Sequence, residues 1–177
     1  MANWMIQASD KWLKLLYERL REELLAKDIL HADETTLQVL HEEGRNANTI
    51  SYVWLWLYRT GRDGPPVILY DYQTARFGKH PARFLKEFKD YLHTDGYGGY
   101  NDLPNIIHVG CWAHARWEFD EALKALPASQ KGTPTAAQEG LDFFAIEQEL
   151  HDVTPDERYQ KRIEQSRQQC LMPSKTG

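Results

Sequence analysis

The hydrophobic positions of the first forty residues change from helical spacing to alternation. Leucines recur every three or four residues within residues 3–28, with charged residues between them, which predicts one amphipathic helix that packs on the rest of the chain. The stripe begins with Trp12 or Leu13 and continues with Leu16, Leu20 and Leu24. Residues 30–40 then alternate, and Thr, Val and Leu in their second half suit a half-buried strand.

Two further strands are predicted at residues 51–60 and 67–72, where aromatic and β-branched side chains are frequent. A polar turn at residues 42–48 and a Gly- and Pro-rich turn at residues 61–66 separate the three strands. Three consecutive strands with short links form an antiparallel meander. The strand at residues 51–60 has apolar residues on both faces, so we expect it inside the sheet.

The second half of the chain alternates between helical and extended patterns. Pro81 opens a helix, the chain becomes extended near Tyr91, a strand follows at residues 106–112 and a helix at residues 113–126. The buried stripe of the first of these helices is Phe84, Leu85, Phe88 and Leu92. The predicted order is β-β-β-α-β-α-β-α, an antiparallel meander followed by parallel strands with helical crossovers. This α/β order with its mixed sheet is typical of the ribonuclease-H-like fold.

A helical hairpin is predicted beyond this core. A Ser-, Gly-, Lys- and Pro-containing linker covers residues 127–134, and a helix follows at residues 136–151. Thr154 to Glu157 is a capping box that starts a last helix ending near residue 169. We expect apolar side chains of this hairpin to be exposed, namely Phe143, Phe144, Ile146 and Leu150. The predicted division is an N-terminal packing helix (1–29), a partial catalytic core (30–126), and a linker with a helical insertion (127–177).

Composition narrows the class of protein. The chain has 177 residues, 42% apolar and 27% charged, which is ordinary for one globular domain. Its net charge of −5 supplies no overall basic field, so DNA binding would need a local basic patch or another part of a larger protein. Two cysteines are too few for a disulfide framework, and no apolar run reaches membrane-spanning length, so we expect a cytoplasmic protein.

Two aspartates are the main candidates for chemistry. Asp33 lies within the first predicted strand. Asp95 lies 62 residues later and directly follows the fourth strand along the chain. Carboxylate oxygens are the ligands that Mg²⁺ prefers, and strand-borne acids on neighbouring strands could face one site. The alternative is that Asp33 and its neighbour Glu34 are simply exposed on an edge strand.

A second candidate cluster spans residues 108–116. His108, Cys111 and His114 are three residues apart and could be zinc ligands, but structural zinc needs four. The preferred interpretation makes Cys111 a small buried hydrophobe, with His114 and Arg116 projecting toward the acidic site, where a phosphate could bind. Arg76, in a short polar loop, is a further candidate for a DNA or phosphate contact.

Four runs of residues, in order, carry a resemblance to the insertion-sequence-sixty-six family of bacterial DDE transposases. They are Leu30-His31-Ala32-Asp33-Glu34-Thr35, Tyr52-Val53-Trp54, Thr94-Asp95-Gly96-Tyr97-Gly98-Gly99-Tyr100 and Gly110-Cys111-Trp112-Ala113-His114-Ala115-Arg116. The resemblance implies a ribonuclease-H-like domain that uses two Mg²⁺ or Mn²⁺ ions to cut and join DNA at transposon ends. It also implies that Asp33 and Asp95 are the first two catalytic acids and metal ligands, and that Cys111 and His114 form the family's Cys-x-x-His element.

The chain departs from the family pattern at two places. Trp117 stands where the family usually has a second Arg, which weakens a phosphate contact. The third acid, a Glu in an Asp-Asn-Asn-x-x-Glu-Arg-like segment, has no counterpart among the 177 residues. Glu118, Glu139 and Glu147 do not match that motif and are interpreted as solvated side chains.

Three functions remain open from the sequence. The first is a fragment of a DDE transposase that binds metal weakly and is inactive alone. The second is a non-catalytic remnant that binds DNA or a full-length transposase. The third is a small nuclease that recruits a local Glu.

Overall fold

The computed structural model describes residues 2–40, 51–62, 64–127, 129, 136–150 and 152–171. Two compact units, residues 1–111 and 112–177, divide the chain. The predicted turn at residues 42–48 and most of the predicted linker lie outside the described residues. Within the described ranges, none of the helices is both long enough and apolar enough to cross a lipid bilayer.

The N-terminal helix is continuous in the chain but not uniform. It consists of α1 (Ala2–Ala8), a π-helical turn (Ser9–Leu13) and α2 (Lys14–Leu25). Its last turn packs on the sheet, because Leu24 is fully buried, whereas Leu16 is exposed. The packing stripe predicted over the whole helix is therefore wrong for its first half, where large apolar side chains stay in solvent.

Five strands form one mixed sheet in the spatial order β3-β2-β1-β4-β5. The strands are β1 (Ile29–Val39), β2 (Ser51–Thr60), β3 (Ile68–Gln73), β4 (Tyr91–Thr94) and β5 (Ile107–Gly110). The pairs β1–β2 and β2–β3 are antiparallel, and β1–β4 and β4–β5 are parallel. This arrangement confirms the predicted α/β class with a meander followed by parallel strands, and it is compatible with a ribonuclease-H-like fold.

The connections between the later strands are shorter than predicted. The α3 helix (Lys79–Phe84) ends after six residues, although its predicted stripe is buried as expected. Between β4 and β5 the chain makes only a one-turn 3-10 helix (Gly98–Tyr100), so the predicted α-helical crossover there is wrong. Glycines at 96, 98 and 99 disfavour a longer helix, because glycine loses more backbone entropy in a helix than other residues.

The two faces of the sheet have different surroundings, since successive side chains of a strand point to opposite faces. One face packs against the end of α2, α3 and the loop after β4. Its buried side chains are Leu30, Ala32, Trp56, Tyr58, Leu69 and Leu92. The opposite face leaves large apolar side chains exposed, with Val53 as a buried exception. The exposed members are Ile29, Leu37, Ile68, Tyr70, Tyr72, Tyr91 and Ile107.

The second unit is helical. It contains α4 (Trp112–Lys124), α5 (Ala136–Glu149) and α6 (Pro155–Leu171). The ring of Phe144 contacts Trp112 and Phe119, and Ile146 and Leu150 are buried. The expectation that these apolar side chains are exposed is therefore wrong.

The predicted capping box at the start of α6 is present. The Glu157 N–H donates to Thr154 Oγ1 at 3.4 Å, and the Thr154 N–H donates back to Glu157 Oε2 at 3.2 Å.

Candidate active site

Asp33 and Asp95 lie on, or directly after, neighbouring parallel strands. The β1–β4 ladder pairs Ile29 with Tyr91 and His31 with His93, an offset of 62 residues. The same offset separates Asp33 from Asp95, which follows the last residue of β4 directly. Extending the ladder by two residues would therefore bring the two aspartates side by side.

Each aspartate accepts a hydrogen bond from nearby backbone. The Glu34 N–H donates to Asp33 Oδ1 at 2.9 Å, and the Tyr97 N–H donates to Asp95 Oδ1 at 2.9 Å. Between Asp95 and Tyr97 the chain turns at Gly96, whose φ of +90° is a conformation that favours glycine. The Asp-Gly-Tyr sequence thus fixes the Asp95 carboxylate against its own loop.

Glu34 is buried, contrary to the alternative that placed it on an exposed edge. The β1 strand is the middle strand of the sheet, and the Glu34 side chain is 0% exposed. Its Oε1 accepts hydrogen bonds from the Nε of Arg76 at 2.8 Å and from Arg76 Nη2, and its Oε2 accepts one from the Tyr100 hydroxyl at 2.6 Å. Burial and this hydrogen bond raise the pKa of Tyr100 far above its usual value, so the hydroxyl remains a donor.

Arg76 is held both through its guanidinium and through its backbone carbonyl oxygen. Its guanidinium lies 3.7 Å from the centre of the Tyr97 ring and 4.9 Å from that of Trp54. The Tyr97 hydroxyl donates to the Arg76 carbonyl oxygen at 2.7 Å, and Arg76 Nη2 lies 3.9 Å from Asp95 Oδ2. Burial lowers the pKa of Arg76, but the hydrogen bond to Glu34 and its negative charge outweigh burial and raise that pKa overall.

A pair of histidines precedes the two aspartates. The imidazoles of His31 and His93 stack with their centres 4.7 Å apart and their planes inclined by 26°. Burial lowers the pKa of His31, and the neighbouring His93 and Arg59 lower it further. Sequence reasoning missed this pair, although the two histidines show the same 62-residue offset as the two acids.

The residues of the Cys-x-x-His element belong to different compact units, with Cys111 in the first and His114 in the second. His108 is exposed on β5, and the Cys111 N–H donates to the Thr94 carbonyl oxygen at 2.8 Å, which fixes the end of β5 beside the end of β4. His114 and Arg116 lie in the second unit on α4, where Arg116 is exposed and lines a shallow pocket with Trp117 and Asp120. Their predicted approach to the acidic site stays a prediction.

The carboxylates of Asp33 and Asp95 supply some of the oxygen ligands that a hard divalent cation needs. Magnesium in proteins is commonly bound through one or two carboxylates and completes its shell with water and phosphate oxygens, which Asp33 and Asp95 could accommodate. In the part of the chain that the structure describes, no group of three or more His, Cys, Asp or Glu side chains is arranged to hold a metal ion.

The three other glutamates considered from the sequence lie in the second unit. Glu118 and Glu139 are exposed, and Glu147 forms an ion pair with Arg162.

Comparisons with known proteins agree with the motifs. The family model described as Transposase IS66 family matches residues 1–171. The uncharacterized protein y4hP of Sinorhizobium fredii (strain NBRC 101917 / NGR234) is 25% identical over 172 residues, which is 86% of this chain and 31% of the relative. The uncharacterized protein y4jD of the same organism is 28% identical over 163 residues, 84% of this chain and 30% of the relative. The chain spans about a third of the length of these curated relatives. No solved structure matches it.

Proposed function

The chain belongs to the IS66 family of transposases, and on this premise we propose that residues 29–111 are the ribonuclease-H-like part of a DDE catalytic domain. Asp33 and Asp95 would hold Mg²⁺ or Mn²⁺ as the first two acids of that site. The observation that carries the proposal is the shared offset of 62 residues, which relates both the β1–β4 ladder and the two aspartates. The sheet supports it, because β4 lies parallel to β1 and ends level with the residue before Asp33.

The metal ions, when bound, would activate the attacking water or 3′-hydroxyl and stabilise the leaving oxygen of the phosphodiester. The protein's own contribution is to orient the two carboxylates. Backbone N–H groups hold one oxygen of each carboxylate, at Asp33 and at Asp95, so neither side chain needs to be ordered when the cation arrives.

DNA at transposon ends is the proposed substrate of the complete protein. The net charge of −5 provides no general attraction for DNA, so contacts must be local. His114 and Arg116 are the proposed phosphate contacts, since a guanidinium can donate two parallel hydrogen bonds to a phosphate.

A second function is favoured by one observation: within the described ranges no third acidic ligand accompanies Asp33 and Asp95. Under this alternative the chain binds DNA or a full-length transposase and does not cut. We propose that the isolated chain binds the cation weakly and has no cleavage activity alone, because a second metal position would lack a ligand and its geometry.

The test combines metal binding with cleavage. Manganese is titrated calorimetrically into the wild type, Asp33→Asn and Asp95→Asn, and the same proteins are incubated with supercoiled DNA. Weak binding that either substitution abolishes, without cutting, is the expected result. Absence of binding in the wild type would overturn the metal site. Cutting that Asp33→Asn abolishes would show that a third acid is recruited within these 177 residues.

A further inference from the structure

The loop that carries Asp95 is attached to a buried carboxylate through one arginine. We propose that Arg76 is a positioning residue: anchored by Glu34, it fixes the Asp95 loop in the conformation that a divalent cation needs, and it does not itself contact DNA. This inference rests on the proposed function, since it assigns Arg76 a role at the same metal site.

The anchor of this arrangement is Glu34. Its side chain has no exposed surface, and both of its oxygens accept hydrogen bonds, Oε1 from Arg76 and Oε2 from Tyr100. A carboxylate so placed cannot reach DNA or a cation in solvent. What it can do is fix the position of the groups that donate to it, as the outer partners of metal ligands do.

The link from Arg76 to the metal site runs through Tyr97. The ring of Tyr97 covers the guanidinium, its hydroxyl donates to the Arg76 carbonyl oxygen, and its N–H donates to Asp95 Oδ1. One residue therefore contacts Arg76 at two points and holds the Asp95 carboxylate at a third. The guanidinium also lies near Asp95 directly, at 3.9 Å from Oδ2.

The geometry opposes a role of Arg76 in binding phosphate. Its side chain is only 35% exposed, and both Nε and Nη2 are directed to Glu34. A bidentate phosphate contact through Nε and Nη2 would require both donors to leave Glu34, which would then be a buried charge without its cation.

The same two loops also touch through their backbones. A Cβ atom added to Gly78 would lie 2.7 Å from the carbonyl oxygen of Gly99, so only glycine permits this approach. Gly78 is two residues after Arg76, and Gly99 is two residues after Tyr97. The segment that follows Arg76 therefore packs directly against the segment that follows Asp95.

The test uses the full chain with three variants. Arg76→Lys keeps the positive charge but loses the planar, bidentate group. The double variant Glu34→Gln/Arg76→Gln removes both charges, so that no buried charge is left without a partner and the fold is retained. Arg83→Gln is the matched control, because Arg83 is another arginine of the same unit that lies near an aspartate, 3.7 Å from Asp71.

Two readouts are taken at a temperature where every variant is folded: the affinity for Mn²⁺ by calorimetry, and the hydrogen-exchange rate of the Tyr97 amide by NMR. We expect Arg76→Lys and the double variant to bind Mn²⁺ about tenfold more weakly, as is usual when the outer partner of a metal ligand is removed. The Tyr97 amide, which donates to Asp95, should exchange faster in both. Arg83→Gln should change neither quantity.

Either of two outcomes overturns the proposal. An unchanged Tyr97 exchange rate would show that Arg76 does not order the loop, and unchanged Mn²⁺ affinity would show that its order does not matter for the metal. If the wild type binds no Mn²⁺, the proposed function fails, and the Tyr97 exchange rate alone then decides whether Arg76 positions the Asp95 loop.

Discussion

The two faces of the five-stranded sheet carry adjacent acidic residues in opposite surroundings. Glu34 lies on the face covered by α2, α3 and the loop after β4, next to Trp56 on β2. Asp33 lies on the other face, where Tyr70 and several aliphatic side chains are exposed. The peptide bond between the two residues therefore separates a fully buried carboxylate from one on the face that leaves large side chains exposed.

This difference shows why an acidic residue in a strand cannot be interpreted by its type alone. Alternation along β1 assigns Glu34 to the same face as Leu30 and Ala32, both buried. A carboxylate on that face needs a cationic or hydrogen-bonding partner, and Arg76 and Tyr100 supply both. The face of the sheet, rather than the residue type, decides whether a carboxylate of β1 needs a buried partner.

The largest expected effect compares two leucines of β1 on opposite faces. Leu30 is fully buried and Leu37 is 46% exposed. We expect Leu30→Ala to reduce the free energy of unfolding by about 3 kcal/mol, because it leaves a cavity, and Leu37→Ala by less than about 1 kcal/mol. Urea unfolding, followed through the amide signals of β1 and β2, measures both. Equal losses would mean that the exposed face is covered in solution.

A smaller effect is expected for the two adjacent acids. Glu34→Gln removes the charge that pairs with Arg76 and should cost about 2 kcal/mol, since Arg76 keeps some access to solvent. Asp33→Asn should change stability by less than about 0.5 kcal/mol while abolishing Mn²⁺ binding. The same urea experiment and a manganese titration decide. A larger loss of stability in Asp33→Asn than in Glu34→Gln would invert the roles assigned to the two faces.

The smallest expected effect is a pH dependence of the free energy of unfolding, which His80 on the covered face should produce. Burial lowers the pKa of His80, and the charges of Lys79 and Arg83 lower it further. The unfolded chain therefore takes up a proton near pH 6.5 that the folded chain does not, so stability falls as the pH decreases through this value. We expect a loss of less than about 1 kcal/mol between pH 7 and pH 5, and a shallower pH dependence in His80→Gln. An unchanged pH dependence in that variant would exclude His80 as its source.

Much of the sheet could be predicted because its strands carry local signals. The second strand occupies Ser51–Thr60, as its aromatic and β-branched residues indicated. Asp33 lies on β1 and Asp95 directly after its neighbour β4, because an antiparallel meander followed by parallel strands leaves few arrangements of the sheet.

The partner of Glu34 was beyond sequence reasoning for a physical reason. Alternation with Leu30 and Ala32 indicates that Glu34 is buried, but it does not indicate which residue forms the ion pair with Glu34. Arg76 lies 42 residues away and reaches Glu34 only through the folded loop. The sequence shows no partner for the charge of Arg76, and a charged side chain in a polar loop is usually interpreted as exposed to solvent or in contact with a ligand. Arg76 was therefore predicted to contact DNA or phosphate.

The errors in helices have a similar cause. The stripe of leucines predicted that the whole N-terminal helix packs, but its residues that pack on the core lie in α2, between Tyr17 and Leu25, and Leu13 is exposed. The predicted α-helix between β4 and β5 was inferred from the usual crossover of parallel strands. Instead, this segment contains three glycines and forms the Asp95 loop. The Tyr97 hydroxyl donates to the Arg76 carbonyl oxygen and the Tyr100 hydroxyl donates to Glu34.

The π-helical turn at Ser9–Leu13 sets how far α1 is rotated about the helix axis relative to α2. A π turn holds about one residue more than an α turn, so it is equivalent to a single-residue insertion in a continuous helix. Each residue of an α-helix is turned by about 100° from the one before, so removing one residue from this segment would rotate the α1 side chains by about that angle relative to α2. Trp4 and Met5 would then face another direction while the sheet and both aspartates stay where they are. A one-residue gap in an alignment of this helix would thus record a change of direction, rather than a loss of structure.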